Sequence, residues 1–221
     1  MLKVFYSEIP GNYLNYSCFS SPWQTGAFVS TIHCCTLLRF FTPKINDMQD
    51  YLPVALSKTH LEQMAWVVND IISAERFFMN TLGVKQFIKL ENVRADETQG
   101  MYLNGQGDFT FHLYLAYLGN IMVELIQPIS GKSIYRDFLD KRPEGGVHHM
   151  AFTLPEADLD IAISELIGKG YPIVQSLILP VARVAYFDTS KEIGIYTELI
   201  GITEAGVDFL RELKGESIEA L

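Results

Sequence analysis

One order of secondary-structure elements occurs twice in this chain, and that repetition limits the possible fold more than any other feature. In the first copy, QMAWVV (63–68) reads as a strand. Asn69-Asp70 follows as a helix N-cap. IISAERFFMNTL then places Ile71, Ala74, Phe78 and Leu82 at helical spacing until Gly83 ends the helix. Residues 84–90 read as a short strand and 92–107 as a polar, glycine-containing loop. Residues 109–128 read as two strands joined at the hairpin turn Gly119-Asn120. After a short helix over 132–141 and Gly145-Gly146, the order repeats. There is a strand at 147–154 (VHHMAFTL) and a helix at about 156–168 ended near Gly170. Strands follow at 171–178, 182–188 and 194–201, the last two separated by the turn-like DTSKE. A helix over 204–214 closes the pattern. Gln63 lies 20 residues before Gly83, and His149 lies 21 before Gly170. The duplication predicts an α+β fold of paired βαβββ units, 61–130 and 146–202.

Strand alternation assigns each side chain to a face. Met64, Trp66 and Val68 share one face of the first strand, and Gln63, Ala65 and Val67 the other. His148, Met150, Phe152 and Leu154 share one face of 147–154, and His149, Ala151 and Thr153 the other. The bulky faces are expected to pack on the helices, and the faces with small residues to line a concave side. Gln63 and His149 then look into one cavity, and His148 points away from it. In the last strand of each unit, Val123 and Leu125, and Thr197 and Leu199, face the helices. That leaves Glu124 and Glu198 inside. Two carboxylates among apolar strand residues are costly to bury unpaired, and a divalent cation resolves that cost. Two carboxylates, one imidazole and one amide oxygen suit Zn, Mn, Co or Ni.

The 221 residues divide accordingly: an N-terminal extension of unknown structure (1–55), the duplicated domain (56–204), and a C-terminal helix and tail (205–221). The net charge of −9 argues against nucleic acid and anionic membrane as partners. The best apolar run, Ala27 to Phe41, is too short to span a membrane and contains His33 and Arg39. Three cysteines, two of them adjacent, do not form a disulfide framework. A reducing, cytoplasmic location is the expectation.

QMAWVVNDIISAERFFMNTLGV, IMVELIQP, GGVHHMAF and AYFDTSKEIGIYTELIG resemble the vicinal oxygen chelate superfamily. That superfamily includes glyoxalase I, methylmalonyl-CoA epimerase, extradiol dioxygenases and bleomycin-resistance proteins. The resemblance covers about 61–202. It implies a cupped mixed sheet around one metal ion, with Gln63, Glu124, His149 and Glu198 as ligands. The ligand set is similar to that of zinc glyoxalase I, whereas VELIQPISGKSIYRDFLDKRPEGGVHHMAF is more similar to the epimerase. Val67 and Pro128 stand where glyoxalase I has its glutathione-binding Arg and Asn, which argues against glutathione.

The implied chemistry is that of a metal-dependent lyase, isomerase or epimerase. A proton next to a carbonyl is abstracted, and the enolate is stabilised by a divalent ion. Glu198 is the first choice as base and Glu124 the second. His112 is a candidate cavity residue. Arg183 and the basic cluster at 136–142 are candidates for an anionic part of a small-molecule substrate with a carbonyl or vicinal oxygens. The resemblance also implies a homodimer. Two alternatives stay open. One is a non-catalytic binding or resistance protein of the same fold. The other is a dioxygenase, against which Gln63 counts because it replaces a histidine.

Overall fold

The computed structural model describes residues 55–215. Apart from Ala55, the N-terminal extension lies outside the described residues, as do the last residues of the tail. In chain order the elements are β1 (His60–Val67), α1 (Ile71–Asn80), β2 (Ile88–Arg94), β3 (Met101–Tyr102), β4 (Gly105–Gln106), β5 (Thr110–Leu118) and β6 (Ile121–Ser130). They continue with α2 (Ile134–Lys141), β7 (Gly146–Pro155), α3 (Glu156–Gly168), β8 (Ile173–Leu179), β9 (Ala182–Phe187), α4 (Ser190–Ile193), β10 (Tyr196–Ile202) and α5 (Glu204–Lys214).

The strands form one mixed sheet in the order β2-β5-β6-β1-β7-β10-β9-β8-β3-β4. The two units mirror each other across the antiparallel pair β1–β7. In each, the first strand runs parallel to the last (β1 with β6, β7 with β10), and the last lies antiparallel to the one before it. The duplicated α+β architecture therefore stands as expected. Among the described residues no helix is long and apolar enough to cross a membrane.

Local chemistry sets the helix starts. Asp70 Oδ1 accepts from the N–H groups of Ile72 and Ser73, each at 3.1 Å, and so satisfies two donors that the first turn of α1 leaves open. Ser133 caps α2 through Arg136 N–H, and Thr203 caps α5 through Gly206 N–H. Both outer helices pack on the bulky strand faces. α1 sets Ile71 and Phe78 against Val123 and Leu125. α3 covers Leu154, Leu199 and Phe187. The inner face holds the largest apolar cluster, to which α2 adds Tyr135 and Phe138 and α5 adds Phe209, Leu210 and Leu213.

Two stretches differ from the sequence expectation. The strand expected at 84–90 begins at Ile88, because Val84 and Phe87 turn beneath α1 and join its apolar cluster. The stretch 92–107 is not an open loop. β2 runs on to Arg94, and β3 and β4 form a small hairpin. This hairpin adds to the far edge of the sheet, where Met101 pairs with Ser176. Ile178 N–H donates to Thr98 O (2.8 Å) and Leu103 N–H to Val174 O (2.7 Å), so the insert of the first unit closes the open edge of the second. A Cβ on Gly107 would lie 2.5 Å from the Phe109 ring, so only glycine lets the hairpin fold this tightly. The DTSKE turn also contains the single turn α4.

Candidate metal centre

The four central strands, in the order β6-β1-β7-β10, each carry one polar side chain to the inner face. Register explains why these four meet. Ala65 on β1 is flanked by Glu124 on β6 and His149 on β7. Ala151 on β7 is flanked by Gln63 on β1 and Glu198 on β10. Two fully buried alanines thus alternate with four large polar residues in a checkerboard, and the missing side-chain volume is the space in which those residues converge.

His149 Nε2 lies 3.0 Å from Oε2 of both Glu124 and Glu198. The Gln63 amide nitrogen donates to Glu124 Oε2 at 2.7 Å, and lies 3.4 Å from Glu198 Oε2 and from His149 Nε2. A half-turn of that amide presents its oxygen at the same place. None of the four side chains' residues is more than 6% exposed. Among the described residues no lysine or arginine pairs with either carboxylate.

The electrostatics follow from burial. Desolvation raises the Glu124 pKa, with the Glu198 charge adding to it and the His149 contact opposing it. For His149, burial alone favours the neutral ring, but the two carboxylates outweigh it and hold the imidazole at about 9. Even with that proton in place, two carboxylates and one imidazolium leave a net charge of −1 in a buried site. A divalent cation on two carboxylates, a neutral imidazole and an amide oxygen leaves none. Glu124, His149 and Glu198 offer ligand atoms within 4.8 Å of one another, and this donor set fits such an ion.

His148 departs from its expected direction. Ala65 pairs with His149 but Trp66 with Val147, so His148 is the extra residue of a β-bulge and does not follow the alternation. Its ring stands against His149 with Nδ1 atoms 2.9 Å apart, stacks on Tyr196 at 4.8 Å, and places Nε2 3.4 Å from Ile134 O. Burial pushes its pKa well down. A neutral His148 that donates from Nε2 to Ile134 O accepts at Nδ1 from His149. That arrangement fixes a proton on His149 Nδ1 and turns Nε2 to the carboxylates, where it carries the second proton of the imidazolium until a cation displaces it.

The centre opens into a cavity of about 80 Å³. Tyr135 and Tyr186 line it beside the carboxylates, and the Tyr135 hydroxyl donates to the Tyr186 hydroxyl at 2.9 Å. Burial keeps both phenols far from ionising. Because Tyr186 accepts from Tyr135, its own proton is left for another acceptor. Parity would have found Tyr186, which shares a face of its strand with Val184 and Ala182; Tyr135 and the bulged His148 carry no such signal.

Other candidates lie elsewhere. His112 is not in the cavity: it pairs with Gln127, on the face opposite Phe111 and Leu113, and accepts the Asn92 N–H at Nδ1 (3.0 Å). Arg183 is on the outer face and binds Asp160 of α3 at 2.7 Å. In the basic cluster, Arg136 donates to Pro128 O and Arg142 lies over the Phe138 ring; none of the cluster lines the cavity. The positions of His112 and Arg183 follow strand alternation, read one residue out of phase for His112.

Residues 62–186 match the family described as Glyoxalase/Bleomycin resistance protein/Dioxygenase superfamily. Among solved structures, the chain is similar to a hypothetical protein from Bacillus halodurans C-125, with 20% identity, a TM-score of 0.49 and coverage of 66% of this chain and 96% of that one. It is also similar to methylmalonyl-CoA epimerase from Mycobacterium tuberculosis, with 19% identity, a TM-score of 0.45 and coverage of 67% and 91%. A third similar structure is methylmalonyl-CoA epimerase from Streptomyces coelicolor in complex with 2-nitronate-propionyl-CoA, with 20% identity, a TM-score of 0.44 and coverage of 64% and 93%. No curated protein matches the chain.

Proposed function

Because this chain belongs to the glyoxalase, bleomycin resistance protein and dioxygenase superfamily, we propose that it is a metal-dependent isomerase, epimerase or lyase that moves a proton on a carbon next to a carbonyl. The observation that carries the reading is the buried Glu124–His149–Glu198 cluster, with Gln63, at the wall of a cavity. Gln63, Glu124, His149 and Glu198 are the residues that would hold a divalent ion. Such an ion supplies Lewis-acid stabilisation of negative charge developing on a carbonyl oxygen.

The remaining roles fall to the chain's own groups. Glu198 is the base that takes the proton. Glu124 is held more closely by the Gln63 amide, at 2.7 Å against 3.4 Å, so Glu198 is the freer of the two carboxylates to turn toward a substrate carbon. The Tyr186 hydroxyl donates to a substrate oxygen and orients it. The apolar wall keeps bulk water from an exposed carbanion. Among the described residues one imidazole faces the carboxylates, and His148 turns its Nδ1 to His149 instead, which counts against the two-histidine chemistry of a dioxygenase.

Two measurements test the reading. Cobalt titration of the chelated protein is expected to give a saturable d–d absorption band, and its absence together with no divalent ion in the purified protein would discard the metal. Exchange of the acidic protons of 1-phenyl-1,2-propanedione in D₂O, followed by NMR, tests the base. The exchange is expected to fall about 100-fold or more in Glu198→Gln, and undiminished exchange would remove Glu198 from that role.

A further inference from the structure

The wall of the cavity carries information about what enters it. Beyond the metal centre it is lined by Phe111, Leu113, Leu177, Val184, Ile200, Phe209 and similar residues. Among the described residues its polar groups are Gln63, Glu124, Glu198, the two tyrosines and Thr153, and no lysine or arginine lines it. Cations of the surrounding elements are engaged outside. Arg183 is bound to Asp160, Arg211 to Asp208, Lys214 to Glu62, and Arg136 donates to a backbone carbonyl. One wall is α5, which presents Gly206, Phe209 and Leu210 to the space.

From this we infer that the site accepts an uncharged, largely hydrocarbon substrate, with its oxygen function at the Glu124–His149–Glu198 end and its apolar body between the sheet and α5. The inference rests on the proposed function for the oxygen end and on the wall itself for the body. An anionic group carried into this space would lose its water and find no cation among the described residues. The two carboxylates would repel it, and a divalent ion on them only cancels their charge. A hydrocarbon body loses nothing polar and gains burial against the aliphatic and aromatic wall. The two phenol hydroxyls provide one oriented donor, sufficient for one neutral oxygen.

The test uses the full chain and N-phenyl-1-naphthylamine, an uncharged dye that brightens in an apolar cavity. Its displacement by octan-2-one and by octanoate is compared, first with chelator and then with cobalt. The ketone is expected to displace the dye at a concentration about tenfold or more below that of the anion in both states. Absence of dye binding, or displacement by octanoate as readily as by the ketone in the chelated protein, overturns the inference. Leu210→Arg adds a cation to the wall at a half-buried helix position, and melting by circular dichroism checks that the variant folds. It is expected to shift the preference toward octanoate by about tenfold. An unchanged preference would place the dye outside this cavity and overturn the assignment. The metal reading is scored separately: a chain that binds no cobalt yet prefers the neutral ligand loses the proposed reaction and keeps the substrate class.

Discussion

Four polar residues on four neighbouring strands were legible in the sequence because alternation in a strand is a strict rule, and each of the four obeys it. His148 was not, because a bulge breaks the rule locally and turns an outward residue into a neighbour of His149. Its position gives a prediction. His148→Phe keeps the ring stack on Tyr196 but removes the acceptor for His149. Metal affinity is expected to fall about 10- to 100-fold with little change in the metal-free melting temperature, as read by competition with a chromophoric chelator. A second prediction concerns pH. The carboxylates hold His149 protonated to about 9, so at neutral pH the incoming cation must displace that proton. The folded-state pKa is raised, hence protonation competes below about 9 and ceases to compete above it. Apparent affinity is expected to rise by about tenfold per pH unit through the neutral range and level off near 9. Calorimetry at pH 7.5 in two buffers of different ionisation enthalpy is expected to show about one proton released per ion. Zero release would mean that the ring is neutral before the ion arrives.

The elements that announced themselves carry their own local chemistry. Asp70 and the apolar spacing after it define α1; Gly119, at φ +61°, defines the hairpin; Gly170, at φ +94°, stands just past α3. β3 and β4 announced nothing. Each is two residues long, too short for periodicity, and the strand on which β3 docks lies more than seventy residues away. The tertiary role of α5 was equally silent: its helical pattern was readable, but not the cavity that it walls. Its docking depends on a contact that only glycine permits, since a Cβ on Gly206 would lie 2.2 Å from Val181 O. Gly206→Ala is therefore expected to lift the first turn of α5 at a cost of about 1–3 kcal/mol. Limited proteolysis is expected to cut between residues 203 and 206 faster than in the parent chain, while cobalt affinity stays within about threefold because the ligands lie on other strands. Equal resistance to the protease would show that α5 docks independently of this approach.

At the scale of the domain, the duplication places the ligands so that neither half completes the site. Gln63 and Glu124 come from one unit, His149 and Glu198 from the other, and they meet across the β1–β7 seam. Without a cation this seam buries two carboxylates around one imidazolium, an arrangement that weakens the fold at its centre. On the proposed metal reading, binding of the ion and folding of the two units are coupled. A ligand that binds only the folded chain at about 1,000 times its dissociation constant adds about 4 kcal/mol. For a chain of this size that corresponds to roughly 8–16 °C in melting temperature. The coupling has a signature that a one-sided site would lack. Glu124→Gln in the first unit and His149→Ala in the second are each expected to abolish most of the metal-induced shift. Glu124→Gln is also expected to raise the metal-free melting temperature by a few degrees, about 1 kcal/mol, because it removes one of two buried like charges. Calorimetric scans of the parent and both variants, with chelator and with excess zinc, decide the matter. If metal raises the melting temperature of either variant as much as that of the parent chain, the ion is not held across the seam.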